Sequence, residues 1–252
     1  MSEKSKTLRS LGFVAIGLVL MLLGGVAGWA WESRSAMTPA PAGSTQRAEL
    51  EQTIHDYILN HPEILPEAMD RLRLRESRKQ LAGVANQVEA PFPGAVLGNP
   101  QGTVTLVEFM DFACTFCRRS VADVAAVIAA NPDLRVVVRE LPILTPASGD
   151  AARMALAAAE QGRYAAFHAA MWQAGQPNAQ TIAAAARAAG LDMARAGRII
   201  ANPGIDAEIA RNLDLARQLG FDGTPSWVIG DQIMSGAVGQ EELAKAVAAA
   251  RG

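Results

Sequence analysis

"TVTLVEFMDFACTFCRRSVADVAAVIAANPDLRVVVRE", residues Thr103 to Glu140, begins with one periodicity and ends its middle third with another. Val104, Leu106, Glu108 and Met110 fall on one face of an extended chain, and Thr105, Val107 and Phe109 fall on the other. Apolar residues on both faces predict a central strand covered from both sides. Beyond Cys117, Val121, Val124, Ala125 and Ile128 recur at helical spacing until Asn131 and Pro132. "LRVVVRE", Leu134 to Glu140, then reads as a second buried strand. The unit is strand, helix, strand, which places the chain in the α/β class, with Cys114 and Cys117 at the strand-to-helix turn.

Those two are the only cysteines in 252 residues. At i and i+3 in the first turn of a helix they share one face and can close a small-ring disulfide. The helix N-terminus brings unsatisfied N–H groups and partial positive charge to Cys114, which favours its thiolate and marks it as the nucleophile. Cys117 sits one turn deeper and is placed to resolve a mixed disulfide formed on Cys114. A structural zinc site normally has four ligands, and the chain offers no second cysteine pair, only His55, His61 and His168 far apart. Copper(I) between two thiolates fits ligand softness. A structural staple is the third reading, weakened because so short a loop removes little unfolded-state entropy. Chemistry alone favours a redox couple. Arg118 and Arg119, directly after the pair, read as solvated charges on the helix surface.

Glu108 shares its face with Val104, Leu106 and Met110, and a buried carboxylate is costly without a task or a partner. Shuttling the proton of Cys117 is one task. A salt bridge, or exposure at the sheet end, accounts for the residue equally well.

Downstream, Gly149 to Gly220 reads as several alanine-rich helices separated by Gly162, Gly175, Gly190 and Pro203-Gly204. The apolar stripe of Tyr164, Phe167, Met171 and Trp172 reads as core. "TPSWVIGDQIMSGAVGQEELAKAVAAARG" closes the chain as strand, turn at Gly230-Asp231, strand and helix. Pro225 stands at the start of a strand, where proline is tolerated.

Upstream, "VEAPFPGAVLGNPQG", Val88 to Gly102, is a boundary rich in proline and glycine. Residues 46–87 read as a helical arm, with Leu50, Ile54, Tyr57 and Ile58 in helical spacing, interruptions at Pro62 and Pro66, and dense mixed charge from Glu67. Its apolar stripe suits either a solvated spacer or a homo-oligomerisation arm. Residues 32–45 read as a flexible tether of Pro, Ala, Ser and Thr. Leu11 to Trp31 carries no charge and, at roughly 20 residues, is long enough to span the hydrocarbon core. Lys4, Lys6 and Arg9 precede it, so residues 1–10 stay cytoplasmic and the globular part is expected outside. An uncleaved single-pass inner-membrane anchor fits its length and the flanking Trp29 and Trp31. A cleaved signal releasing the chain to the periplasm is the alternative. Either route puts the cysteines where disulfides persist. A net charge of -2, without basic runs interleaved with aromatics, argues against nucleic acid as a partner.

Taken together, "VEFMDFACTFC", the following helix, the helical insertion at about 149–220 and "GTPSWVIG" before a terminal hairpin and helix resemble the DsbA-like thiol-disulfide oxidoreductases of the thioredoxin superfamily. The resemblance covers residues 96–252. It implies a thioredoxin-like fold, no cofactor beyond a redox-active Cys114–Cys117 disulfide, and an exposed nucleophile at Cys114 resolved by Cys117. It further implies proton transfer by Glu108 and a cis Thr224-Pro225 bond whose loop holds the substrate peptide as an added strand. Exported cysteine-containing proteins are the implied substrates, with a membrane redox partner that resets the pair. "TIHDYILNHPEILPEAMDRL" is similar to the N-terminal helical region of the suppressor-of-copper-sensitivity C proteins, some of which oligomerise through it and act as isomerases. The dipeptide Thr115-Phe116 departs from the proline- or glycine-containing pairs usual in the family, so oxidase and isomerase both stay open.

Overall fold

A computed structural model describes residues 43–251. The expected anchor at 11–31, the residues before it and nearly all of the expected tether lie outside that range. Among the described residues no helix is long and apolar enough to cross a membrane. The chain divides into two units, residues 1–67 and 68–252.

In the first unit, helix α1 (Gly43–Asn60) starts inside the stretch read as tether. Arg47 and Glu51 pair one turn apart at 2.9 Å along it. Leu50, Ile54 and Tyr57 form a stripe that is 59, 50 and 56 % exposed. Pro62 cannot donate to the helical ladder, and a second helix, α2 (Ile64–Leu81), begins two residues later. Pro66 sits in the first turn of α2, where its missing N–H would have had no partner anyway.

The second unit is built on a five-stranded sheet. Its strands are β1 (Val96–Gly98), β2 (Val104–Met110), β3 (Leu134–Glu140), β4 (Ser226–Ile229) and β5 (Gln232–Ser235), in the order β1-β3-β2-β4-β5. β2 and β3 run parallel, joined by helix α4 (Thr115–Ala130), and the other pairings are antiparallel. β2 is therefore the central strand, as its two apolar faces require. Leu106 and Met110 enter one core cluster with Val136, Val138, Cys114 and Cys117. Val107 and Phe109 enter the other with Val137, Val228 and Leu219.

A short helix, α3 (Ala85–Glu89), precedes the sheet. Leu81 at the end of α2 and Val88 of α3 are buried in the second cluster, so the last turns of the charge-rich segment pack as part of this unit. β1 lies within the stretch read only as a boundary. Gly94 just before it has φ 86°, and a Cβ there would meet the carbonyl oxygen of Ala159 at 2.5 Å. That close approach explains a glycine at this position.

The helical insertion comprises α5 (Pro146–Ala159), α6 (Tyr164–Ala174), α7 (Ala179–Ala188), α8 (Met193–Ile200) and α9 (Pro203–Gln218), and α10 (Gln240–Ala249) closes the described chain. It begins three residues earlier than the alanine pattern suggests, because Thr145 and Ser148 cap α5 reciprocally and Pro146 fits its first turn. Alanines let these helices approach closely: Ala151, Ala152, Ala155, Ala157 and Ala158 of α5 are all buried. Tyr164, Phe167, Met171 and Trp172 are core, as their spacing suggests.

On the second face of β3, Arg139 is buried with Glu208 of α9, 3.0 Å away. Its guanidinium also donates to Asn212 Oδ1 and to the carbonyls of Gln87, Val88 and Ala90. One side chain thus ties α3 and the chain after it to the sheet and to α9.

Candidate active site

Strand β2 ends at Met110 and the chain turns through Asp111 into α4. The Asp111 carboxylate organises that turn. Oδ1 accepts the N–H of Ala113 at 2.8 Å, and Oδ2 accepts those of Ile143 and Leu144 at 2.9 and 3.0 Å. One buried anion therefore fastens the loop before α4 to the loop after β3. Nothing in the sequence pattern singles Asp111 out, because its partners are main-chain amides of a distant loop.

Cys114 is the N-cap residue of α4. Its Sγ accepts the N–H of Cys117 at 3.3 Å, the interaction that a thiolate at a helix start would strengthen. The thiol donates to the carbonyl of Thr224 at 3.2 Å. The Thr224-Pro225 bond is cis. Thus Cys114, Cys117, Thr224 and Pro225, separated by about half the chain, meet at one point. Both cysteines are free thiols. Cys114 is only 5 % exposed and Cys117 is fully buried, so the nucleophile implied as exposed is nearly covered, with the Thr224 carbonyl against its Sγ.

The Thr224-Pro225 loop that touches Cys114 also lines a groove of about 630 Å³, together with Phe116, Arg119, Asp123 and Ser235. Phe116 is 52 % exposed, and the Arg119 guanidinium lies 4.4 Å over its ring. Ile143 and Leu144, held by Asp111, are exposed apolar residues. Arg118 departs from the surface role its sequence position suggests. It donates to the carbonyls of Trp172 and Gly175 and sits 5.4 Å over the Trp172 ring, pinning the start of α4 to the end of α6. Phe112 in turn packs on Phe167, His168 and Trp172. These aromatic partners follow Phe112 by more than fifty residues, so local sequence gives no sign of them.

Behind the thiols lies Glu108, 4 % exposed on the face of β2 that carries Leu106 and Met110. Among the described residues no cation pairs with it, so the salt-bridge reading finds no partner. Burial pushes its carboxyl up to about 8. Burial also drives the Cys117 thiol far above its ordinary value, and the charge of Glu108 adds to that. Glu140 at the end of β3 is likewise raised to about 8, by burial above all, although the Tyr164 hydroxyl donates to it at 2.7 Å. His168 accepts the indole N–H of Trp172 and is pushed down to about 4 by burial.

These shifts fix how stability depends on pH. A carboxyl held at about 8 in the fold and at 4.5 outside it binds its proton more tightly when folded, so its stabilisation is whole below 4.5 and drains as pH rises through about 8. His168 works in the opposite sense: between its free value of 6.5 and about 4 the unfolded chain takes up a proton that the fold refuses. Above 6.5 only the carboxyls of this set contribute. The reduced protein is therefore expected to lose resistance to urea between pH 6.5 and 8.5, with a slope of about 1.4 kcal/mol per pH unit for each proton of difference. Glu108→Gln combined with Glu140→Gln should flatten that fall. An equal slope in the double variant would assign it to other groups.

Residues 105–248, more than half of the chain, match the model of the DSBA-like thioredoxin domain. The chain belongs to the DSBA-like thioredoxin family. Residues 46–79 match a second model, the N-terminal domain of the copper resistance protein ScsC. A thioredoxin-like oxidoreductase from Silicibacter pomeroyi DSS-3 is 46 % identical, with a TM-score of 0.60 over 62 % of this chain and 91 % of that one. The thiol-disulfide exchange protein alpha-DsbA2 from Wolbachia pipientis is 26 % identical, with a TM-score of 0.64 over 71 and 97 % of the two chains. A linker-deletion variant of ScsC from Proteus mirabilis is 25 % identical, with a TM-score of 0.64 over 85 and 99 %. Among curated proteins, an Na(+)/H(+) antiporter NhaA of Salinispora tropica is 28 % identical over 158 residues, which is 62 % of this chain and 24 % of the antiporter. The chain thus spans about a quarter of that curated relative.

Proposed function

We propose that this DSBA-like chain is an extracytoplasmic thiol-disulfide oxidoreductase acting on cysteines of exported proteins, tethered to the inner membrane through residues 11–31. The observation that carries the reading is the meeting of Cys114 Sγ, at the N-cap of α4, with the Thr224-Pro225 loop beside an open groove, while Cys117 lies buried behind it. The edge of the Thr224-Pro225 loop, with exposed Phe116 on the groove, suits an extended, partly unfolded polypeptide. The similarity to the thioredoxin-like oxidoreductase of Silicibacter pomeroyi and the thiol-disulfide exchange protein of Wolbachia pipientis supports the same chemistry.

A substrate thiolate attacks Sγ of the oxidised Cys114. The Cys114–Cys117 bond breaks, a substrate–Cys114 disulfide forms, and the electron pair leaves on Cys117. Because burial so disfavours a Cys117 thiolate, it needs a proton as it leaves, and the protonated carboxyl of Glu108 supplies it. A second substrate thiolate then attacks the substrate sulfur of the mixed disulfide. Cys114 departs as a thiolate stabilised by the Cys117 N–H. The substrate loses two electrons and the dithiol gains them. A membrane-borne thiol oxidant, by taking them on, resets the pair. Run from the reduced dithiol, the same exchange rearranges wrong disulfides. The exposed stripe of Leu50, Ile54 and Tyr57 supports self-association through residues 46–87, the arrangement that favours such isomerisation.

Mixing the oxidised full chain, held in detergent, with a reduced, unfolded protein of two cysteines tests this reading. One disulfide should pass to the substrate for each Cys114–Cys117 pair reduced. A pair that stays oxidised while the substrate stays reduced would contradict it. The match of residues 46–79 to a copper resistance protein favours one second reading, copper(I) held by the two thiolates. Stoichiometric copper retention that is lost in Cys114→Ser, without disulfide transfer, would select it.

A further inference from the structure

Glu140 has no place in the exchange described above, yet it is a fully buried carboxyl. In the parallel register of β2 and β3, Glu108 stands opposite Val138 and Met110 opposite Glu140. Paired residues of neighbouring strands point to the same face, so Glu140 and Glu108 emerge on one side of the sheet. They are diagonal neighbours, with Cα atoms about 8 Å apart from the strand spacing and the rise per residue. That face is the core cluster containing Cys114 and Cys117.

The two carboxyls are not equivalent. Glu140 Oε1 accepts the hydroxyl proton of Tyr164 from α6 at 2.7 Å. No donor reaches Glu108 among the described residues. A hydrogen bond to the charged form favours ionisation, and two like charges this close in a dry core disfavour double ionisation. The anion therefore belongs on Glu140 and the proton on Glu108.

The other groups facing Glu140 do not reverse this order. From the turn after β2, Asp111 adds a further negative charge, already satisfied by three main-chain amides. From α6, His168 stacks on Tyr164. From α9, Asn212 donates to the main-chain oxygen of Glu140 and not to its carboxyl. Arg139, next in sequence, points to the opposite face and pairs with Glu208. Among the described residues no cation neutralises either acid.

We propose that Glu140, fixed by Tyr164, is a positioning residue that keeps Glu108 protonated and so makes it the acid that protonates Cys117 when the disulfide opens. The proposal rests on the role given to Glu108 above. Its consequence is a proton held ready at neutral pH on a carboxyl that has no donor of its own. Burial raises both carboxyls to about 8, and the charge of Glu108 is among the causes that raise Glu140.

The test is a carbon-13 titration of the reduced full chain in detergent, labelled at glutamate side-chain carboxyls and assigned through Glu108→Gln and Glu140→Gln. Glu108 should titrate near 8. In Glu140→Gln its midpoint should fall by about one pH unit or more, the effect of removing a unit charge at that distance. In Tyr164→Phe, Glu140 loses its donor and takes the shared proton, so the Glu108 midpoint should fall as well. A Glu108 midpoint unmoved in folded Glu140→Gln overturns the proposal. If that variant does not fold, Tyr164→Phe decides by the same criterion. The measurement requires no turnover, so failure of the exchange reading and failure of this proposal are separately visible.

Discussion

Cys114→Ser is expected to abolish disulfide transfer, lowering it by at least about 10³-fold, because the remaining thiol of the site, Cys117, is fully buried and out of reach of a substrate. Cys117→Ser should fail differently. Cys114 Sγ still receives an N–H from residue 117, since the donor is main chain, so the nucleophile keeps its helix-end stabilisation. What is lost is the resolving thiol. A covalent adduct between Cys114 and a substrate cysteine should then accumulate, visible as a mass increase that a reductant removes. Unchanged transfer in Cys114→Ser would remove the basis of the mechanism, and an adduct forming equally in both variants would place the nucleophile elsewhere.

The second large effect is on stability. Arg139→Ala should cost about 3–5 kcal/mol, the range seen when one partner of a buried ion pair is removed. It leaves Glu208, Asn212 and the carbonyls of Gln87, Val88 and Ala90 without their common donor. Glu208 keeps Arg211 at 3.2 Å, an exposed partner that recovers part of the loss. Because Arg139 lies on the sheet face opposite the thiols, the Cys114–Cys117 potential should stay unchanged in the folded fraction. Urea unfolding checks the first statement and thiol–disulfide equilibration the second. A cost below about 1 kcal/mol would mean that the segment after α3 is held by its apolar contacts alone.

The parts legible in the sequence are those where short-range physics acts alone. Strand β2, helix α4 and strand β3 follow from period-two and helical patterns and a proline stop. Cys114 and Cys117 follow from spacing and helix-end electrostatics. The parts that were illegible depend on partners far along the chain. β1 is three residues long and exists because β3 pairs with it. Arg118 reads as a surface charge until Trp172 and Gly175 arrive from α6. Glu140 looks like the polar end of a strand, and only Tyr164 shows that it is buried and bonded. The Thr224-Pro225 loop is intermediate: resemblance suggested its conformation, and the fold places its carbonyl on Cys114.

The same division explains why chemistry concentrates on one face of the sheet. Burial there raises the Glu108 carboxyl and the Cys117 thiol together, while the opposite face carries the Arg139 network. Helix α4 joins these features, since its N-cap is Cys114 and its first turn carries Phe116 to the groove.

The most direct measurement is the reduction potential of the Cys114–Cys117 pair in the full chain, equilibrated against glutathione and read by thiol alkylation. The account predicts a labile couple, at about -120 to -230 mV, whereas a value below about -300 mV would mean an inert structural disulfide and would contradict it.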